Sequence, residues 1–373
     1  MIAKWIWRTA VAAVLAGLLC SAWGGLVRPD NAPLWLSLSV MVFPLMAVLT
    51  VLVAIIEAWR RKWVSVAVLF AALLMCLPML RITFPMNLVV SSTDGQPQLK
   101  VLALNAQYFE QQDTDAPNAT LQYVLNSGAD VVMLQEVTHD GWGTPYEVTD
   151  TTFTPVQIAQ LDSIYPYRSH DNDDVGIMSR YPFTRVELAR PIVGFDMVDY
   201  YVAMQHHYVV AYDLYLPDGR QLRMVGVHLR SWSFSRHQRA MLGGELAGEM
   251  DAMPGSDAYG LSTTQLIRRA YAARVDEAQT VRRALDDCPH NMILCGDFND
   301  VPGSWVYRTV CGGDMHDAWA DAGRGYAHTF NKYRFLLRID HILYRGDLRP
   351  VDIHRDKGGA SDHYPQIVTF EWR

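Results

Sequence analysis

Met292-Ile293-Leu294-Cys295-Gly296-Asp297-Phe298-Asn299-Asp300 reads as a buried strand that runs out into acids and an amide. A strand is expected over 291–297, because the run is short, apolar and uncharged. Asp297 and Asn299 lie two residues apart, so an extended backbone sets both on one side of the strand end. Alone, the stretch is equally well a plain turn. Four other places repeat the arrangement: Leu104-Asn105, Gln135-Glu136-Val137, Val227-His228-Leu229, and Arg338-Ile339-Asp340 with Ser361-Asp362-His363. Singly, Glu136 reads as a surface acid and His228 as a core histidine. Together they describe one polar mouth built from strand ends.

The side chains in that mouth limit its chemistry. Carboxylate and amide oxygens are hard ligands that suit Mg²⁺ or Mn²⁺. The chain has no Cys/His spacing for zinc, no Gly-x-x-x-x-Gly-Lys phosphate loop and no Gly-x-Ser-x-Gly elbow.

Further strands are expected at 99–105, 129–137, 176–179, 185–188, 338–344, 349–354 and 366–372. Residues 208–216 and 221–229 flank Pro217-Asp218-Gly219-Arg220, a hairpin turn. Helices are expected at 118–127, capped by Asn118, and at 262–287. Many strands with a few interspersed helices imply a layered α/β domain.

Upstream the composition changes sharply. Residues 9–27, 31–56 and 63–80 contain no Asp, Glu, Lys, Arg or His. A bilayer-crossing helix needs about 20 apolar residues. Three spans are therefore expected, at about 9–27, 34–56 and 63–84, within an anchor of residues 1–90. A polar linker, 91–98, leads to a catalytic domain over 99–373. A cleaved signal peptide fits less well, because two more apolar runs follow the first. Lys4, Arg8 and Arg60-Arg61-Lys62 sit on one side of a three-span arrangement, which places the amino terminus in the cytoplasm and the domain outside it. With two spans the domain would face inward. The spans carry no internal charge, so a channel or transporter is not expected.

Half of the 373 residues are hydrophobic and 19% are charged, which excludes a disordered chain. Five cysteines in this length exclude a disulfide scaffold, and a Cys288–Cys311 bridge stays open. Before residue 86 there are seven bases and two acids, leaving 25 bases against 37 acids beyond it. That net of about −12 argues against an extended nucleic-acid footprint.

On the five stretches, with Gly176-Ile177-Met178-Ser179-Arg180-Tyr181-Pro182 and Ser304 to Tyr307, the chain from about residue 98 onward resembles the endonuclease/exonuclease/phosphatase superfamily of metal-dependent phosphohydrolases. That superfamily includes pancreatic deoxyribonuclease, neutral sphingomyelinases and inositol-polyphosphate 5-phosphatases. The resemblance implies a four-layer α/β sandwich, two packed, mainly antiparallel sheets flanked by helices, here preceded by about three transmembrane helices. It also implies Mg²⁺ or Mn²⁺, with Glu136 as metal-binding glutamate, Asn105 holding metal or phosphate, and Asp362 in or beside the ligand set. Asp297 and Asn299 would polarise and position the attacking water. His228 would contact the phosphate, and Asp340 would orient His363. In the nuclease branch a further mid-domain glutamate pairs with the first histidine. Here Asp171-Asn172-Asp173-Asp174 occupies that region, and the sequence does not say which residue takes the role. Arg230, Arg236 and Arg274 read equally as phosphate contacts or as structural arginines.

The expected function is a membrane-anchored hydrolase of phosphate esters, first of all a phosphodiesterase. The expected partners are a phosphate-ester substrate, with a lipid, a nucleic acid or a small phosphoester all open, and the lipid bilayer through the N-terminal spans; no obligate protein partner is expected. The alternatives are an extracytoplasmic nuclease and a non-catalytic tethered binding protein. Trp142, Trp232 and Phe234 read first as aromatics packed on their own domain and second as residues dipping into a membrane surface.

Overall fold

A computed structural model describes residues 2–87, 95–110, 116–137, 153–169, 174–188, 209–232, 262–288, 291–332 and 336–373. Trp142, Phe234, Arg236, residues 171–173 and the first half of the 91–98 linker lie outside the described residues. Among the described residues, two six-stranded sheets form the centre. The first contains β1 (Gln98–Asn105), β2 (Val131–Gln135), β3 (Tyr167–Arg168), β4 (Val175–Ser179), β11 (Leu348–Arg355) and β12 (Gln366–Trp372), ordered β11-β12-β1-β2-β4-β3. The second contains β5 (Phe183–Val186), β6 (Val209–Tyr215), β7 (Gln221–His228), β8 (Met292–Asp297), β9 (His316–Asp317) and β10 (Asp340–Arg345), ordered β5-β6-β7-β8-β10-β9.

Each sheet has one parallel pair, β1 with β2 and β7 with β8, and the other pairs are antiparallel. A parallel pair needs a crossover, usually a helix. Helix α6 (Ala119–Asn126) serves the first pair and the long α8 (Thr263–Asp286) the second. Asn118 caps α6, accepting the Leu121 N–H at 3.0 Å. Ser262 and Gln265 form a capping box on α8. The expected hairpin is present, with Tyr215 paired to Gln221.

The layers follow from the period of two along each strand. Leu99, Val101 and Ala103 of β1 face Met224 of β7, Ile293 and Cys295 of β8 and Ile342 of β10 in the core between the sheets. The sheets approach so closely that a Cβ on Gly226 would meet Val175 Cγ1 at 2.4 Å. On the outer face of the first sheet, Leu102, Leu104 and Val132 pack on α6 and α7 (Pro155–Ile164). On the outer face of the second, Val225, Val227 and Leu294 pack on α8 and α9 (Trp305–Cys311). Each fully buried aliphatic side chain contributes about 1.5–3 kcal/mol. The result is helix, sheet, sheet, helix, the four-layer sandwich expected.

The N-terminal segment is helical: α1 (Ile2–Trp23), α2 (Leu34–Ser39), α3 (Phe43–Trp59), α4 (Trp63–Met75) and α5 (Leu77–Thr83). Ile2–Leu26 and Leu34–Trp59 are each long and apolar enough to cross a membrane. The third expected span is instead a pair, α4 and α5, bent by 66°. Pro78 explains the bend: it has no N–H to continue the helix and its ring crowds the preceding turn.

Candidate active site

The site is the polar continuation of the core between the sheets. Asn105 follows Ala103 on the inward face of β1, and Asp297 follows Cys295 on β8. Strand register supplies the rest. His228 is paired directly with Asp297 across β7 and β8, and Asp340 with Asp297 across β10 and β8. Directly paired residues point to the same face, so these three stand side by side across three strands. Asn105 Nδ2 donates to Glu136 Oε1 at 3.0 Å and to Asp297 Oδ2 at 3.3 Å, tying the two sheets together at this end.

Two Asp–His pairs flank Asp297. His363 Nδ1 lies 2.9 Å from Asp340 Oδ2, and His228 Nδ1 is bonded to Asp174 Oδ2. Each carboxylate orients its ring and turns Nε2 into the mouth. There, His363 Nε2 is 3.8 Å and His228 Nε2 3.9 Å from Asp297 Oδ2, and His228 Nε2 is also 3.9 Å from Glu136 Oε1. These separations exceed a direct hydrogen bond and leave room for an oxygen or an ion between the groups. Burial works against charging either imidazole, yet the surrounding carboxylates prevail and hold both at about 10: Asp174 chiefly for His228, and Asp340 for His363.

Local backbone geometry aims the remaining groups. Asn299 has φ 49°, the left-handed region that asparagine tolerates better than most residues. Its N–H donates to Asp297 Oδ1 at 2.7 Å, and its Nδ2 to the Leu229 carbonyl at 2.9 Å. Glu136 is also left-handed, at φ 51°. A glutamate there stores on the order of 1–3 kcal/mol of strain. The Tyr108 N–H to Glu136 carbonyl bond, 2.7 Å, helps to hold it.

The structure brings together Asn105, Glu136, His228, Asp297, Asn299, Asp340 and His363. Asp362 is adjacent and its charge acts on His363, but among the described residues its carboxylate makes no hydrogen bond or ion pair with the others. Asp174 is the residue that register in the sequence left undetermined, and it pairs with His228 from the strand next to β2. Arg274 is fully buried and donates through Nη1 to the Asn299 carbonyl, while Arg230 Nε lies 3.8 Å from Glu277. Both engage the protein itself.

The donor set suits a hard divalent cation. Among the described residues, ligand-type atoms of Asp297, Asp340 and His363 lie within 4.8 Å of one another, and Asp340 Oδ1 is buried with no hydrogen-bond partner among them. With His363 held protonated, the carboxylates are what this cluster offers a cation. Burial, and then the Asp340 charge, push the Asp297 carboxyl up to about 6. The ionised form therefore costs stability above pH 6, by about 3 kcal/mol relative to a carboxyl at 3.8. The cost is relieved as pH falls through 6. Added Mg²⁺ or Mn²⁺ should thus raise the thermal midpoint by several degrees at pH 7.5. At pH 5, where a proton takes the place of the cation, the rise should shrink. Equal rises at both pH values, followed by calorimetry, would show that Asp297 is not where the cation binds.

A two-sheet sandwich with acids, amides and histidines gathered at one mouth defines a class of hydrolytic enzymes that cleave phosphate esters. The chain belongs to the endonuclease/exonuclease/phosphatase family, whose family model matches residues 102–363. Enzymes of this family generally use divalent metals. Among solved structures, the chain is similar to an endonuclease/exonuclease/phosphatase from Beutenbergia cavernae, with 17% identity, 74% of this chain and 72% of that chain covered, and a TM-score of 0.46. It is also similar to sphingomyelinase C from Streptomyces griseocarneus, with 17% identity, 73% and 99% covered, and a TM-score of 0.42. A mannosyl-6-phosphatase from Bacteroides thetaiotaomicron gives 15% identity, 74% and 100% covered, and a TM-score of 0.40. No curated protein matches the chain.

Proposed function

We propose that this enzyme is a membrane-anchored phosphodiesterase that uses Mg²⁺ or Mn²⁺ and hydrolyses a phospholipid or sphingolipid headgroup at the surface of its own bilayer. Residues 1–90 form the anchor and 99–373 the catalytic domain. One observation carries the lipid reading. Val301 packs in one apolar cluster with Leu18, Ala22 and Phe43 of the anchor. Four peptide links separate it from Asp297, a reach of at most about 14 Å. The headgroup layer beyond the hydrocarbon is on the order of 5–7 Å deep on each side. A lipid phosphate at that depth is within reach of the mouth.

The same contact supports the sidedness. Leu18 and Ala22 lie near the end of α1, whereas Lys4 and Arg8 lie at its start. The basic start is paired with the basic end of α3, for Trp7 Nε1 donates to Glu57 at 2.7 Å and Arg60 lies over the Trp7 ring. By the positive-inside rule that end is cytoplasmic, so the catalytic domain sits on the opposite side. Exposed Trp5, Trp59 and Trp63 at one end, and Trp23 and Trp35 at the other, match interfacial belts.

In this mechanism Asp297 and Asn299 position the attacking water, and Asp297 takes its proton. A carboxyl near pH 6 suits a base working at neutral pH. His228 and His363 present Nε2–H groups to the phosphate oxygens and stabilise the charge that grows as the water oxygen bonds to phosphorus. As the opposite P–O bond breaks, the departing alcohol oxygen takes a proton from one of these imidazolium groups. Asp174 and Asp340 keep those rings protonated and aligned. A divalent cation on Glu136 and Asn105, beside the Asp297 carboxylate that Asn105 also touches and with Asp362 at the edge of the set, would supply charge neutralisation of the phosphate and a lowered pKa for bound water.

The test is hydrolysis by the full chain in detergent micelles, offered sphingomyelin and glycerophospholipid vesicles, plasmid DNA and an inositol phosphate, with Mg²⁺ or with EDTA. Lipid turnover abolished by EDTA is expected. Cleavage of DNA with lipids untouched would replace the lipid reading by the nuclease one, and inertness towards all of them would overturn it.

A further inference from the structure

The anchor does more than end near the site. After α1 the chain makes a tight turn, Gly24–Leu26, that meets the loop leaving β8. A Cβ on Gly25 would lie 1.9 Å from the Gly303 carbonyl oxygen and 3.0 Å from Ser304 Cα. Backbone here rests on backbone, and only glycine permits it. Gly303 is itself left-handed, at φ +79°, and a Cβ on it would strike Met79 Sδ of α5 at 2.2 Å. The loop Asp300–Ser304 is thus pressed between two pieces of the anchor.

The strand beside it is held in the same way. Arg338, 2% exposed, donates to Asp317 at 2.8 and 3.2 Å and to the Ile82 carbonyl at 3.0 Å. Ile82 lies in the last turn of α5, where carbonyls lack helical partners and carry partial negative charge. Beyond α5, the Gly325 N–H donates to the Pro85 carbonyl at 2.7 Å, and Asn87 Nδ2 donates to the Ala320 and Gly323 carbonyls at 3.0 and 2.9 Å. Ile339 packs in the anchor cluster, and its carbonyl accepts the Phe298 N–H at 2.9 Å. The two segments that carry Asp297, Asn299 and Asp340 are therefore joined to each other where the anchor presses on both.

We propose that the anchor is a working part of the active site: the Gly25 turn and α5 clamp the Asp300–Ser304 loop and the Arg338–Ile339 segment, and so set the spacing of Asp297, Asn299 and Asp340. Gly25 and Met79 are then positioning residues that touch neither substrate nor cation. A passive tether would need no glycine against glycine and no buried arginine reaching across to a helix end.

The proposal rests on the hydrolase reading, and the experiment separates the two. The full chain is purified in micelles as wild type, Gly25→Leu, Gly25→Ala and Met79→Ala, with folding checked by circular dichroism. Mn²⁺ affinity is measured by titration calorimetry, and kcat and KM on bis(4-nitrophenyl) phosphate, a soluble diester that needs no membrane. Displacements near 1 Å at a site cost on the order of 100-fold in rate. Gly25→Leu is expected to bind Mn²⁺ at least about tenfold more weakly and to lose at least about tenfold in kcat at little-changed KM, with Gly25→Ala and Met79→Ala intermediate. If Gly25→Leu does not fold, the two milder variants decide. Wild-type Mn²⁺ affinity and kcat in the folded variants would overturn the clamp alone. A wild-type chain that binds no Mn²⁺ would overturn the hydrolase reading and the clamp together.

Discussion

Asp297→Asn should leave a folded protein that is more stable than wild type without metal and almost inert as an enzyme. The two effects have one cause. Asp297 is 1% exposed and faces Asp340 across the β8–β10 pair, so burial and then like charge resist its ionisation. An amide of the same shape removes that cost while Oδ1 still accepts the Asn299 N–H, and the 3.3 Å bond from Asn105 Nδ2 that it forfeits is worth only about 1 kcal/mol. At neutral pH the thermal midpoint of the metal-free protein should rise, in the manner of sites that trade stability for activity. Turnover should fall about 10³-fold or more, because the proposed base and a negative charge beside the cation are lost together. The metal-induced rise in midpoint should vanish as well. Calorimetry with and without Mg²⁺, alongside initial rates, reads all three. A variant that keeps even a tenth of wild-type activity would remove Asp297 from the reaction.

His363→Ala should cost about 10²–10⁴-fold in turnover, and unlike Asp297→Asn it should destabilise the protein. His363 is 5% exposed, bonded to Asp340 and packed edge-on to Phe330 at 5.2 Å. Removing it strands the Asp340 carboxylate, whose other oxygen already lacks a partner among the described residues. Leaving a buried charge unpaired costs about 3–5 kcal/mol. Adding Asp340→Asn to His363→Ala should therefore restore stability without restoring rate. The rate of the double variant should match that of His363→Ala, since residues acting as a unit are not additive. Urea titration and initial rates on the three proteins test this. Rates that multiply would mean that Asp340 acts other than through His363.

Much of this site can be read from the sequence because its groups sit where apolar strand-like runs end or begin. Asp297 closes Met292-Ile293-Leu294-Cys295-Gly296, and Asp340 opens the run that continues through Ile342 and Leu343, and a strand boundary needs no tertiary information to be seen. Asp174 was harder. Four successive polar residues precede β4, and nothing local distinguishes the one that meets His228, which arrives from the other sheet 54 residues later. Helix α7 carries a local signal, the Thr154/Gln157 capping box behind Pro155, but its weakly one-sided pattern hid it. The bend in the third apolar run was also written locally, in Pro78, although length and composition alone read that run as one straight span.

By itself the sequence determined the division into an apolar segment and an acidic α/β domain, the alternation that builds two sheets, and the types of ligand at their ends. Those are local properties, set by period, charge and chain chemistry. The tertiary structure decided three further things. It chose which aspartate pairs with His228. It turned Arg274 and Arg230 toward the protein's own groups. It also seated the N-terminal helices on the loops that carry Asp297 and Asp340. Each of these depends on contacts between residues far apart in the chain, Gly25 with Gly303 and Ile82 with Arg338 among them. No local pattern encodes such pairs, because the physical term that selects them is close packing of the whole fold.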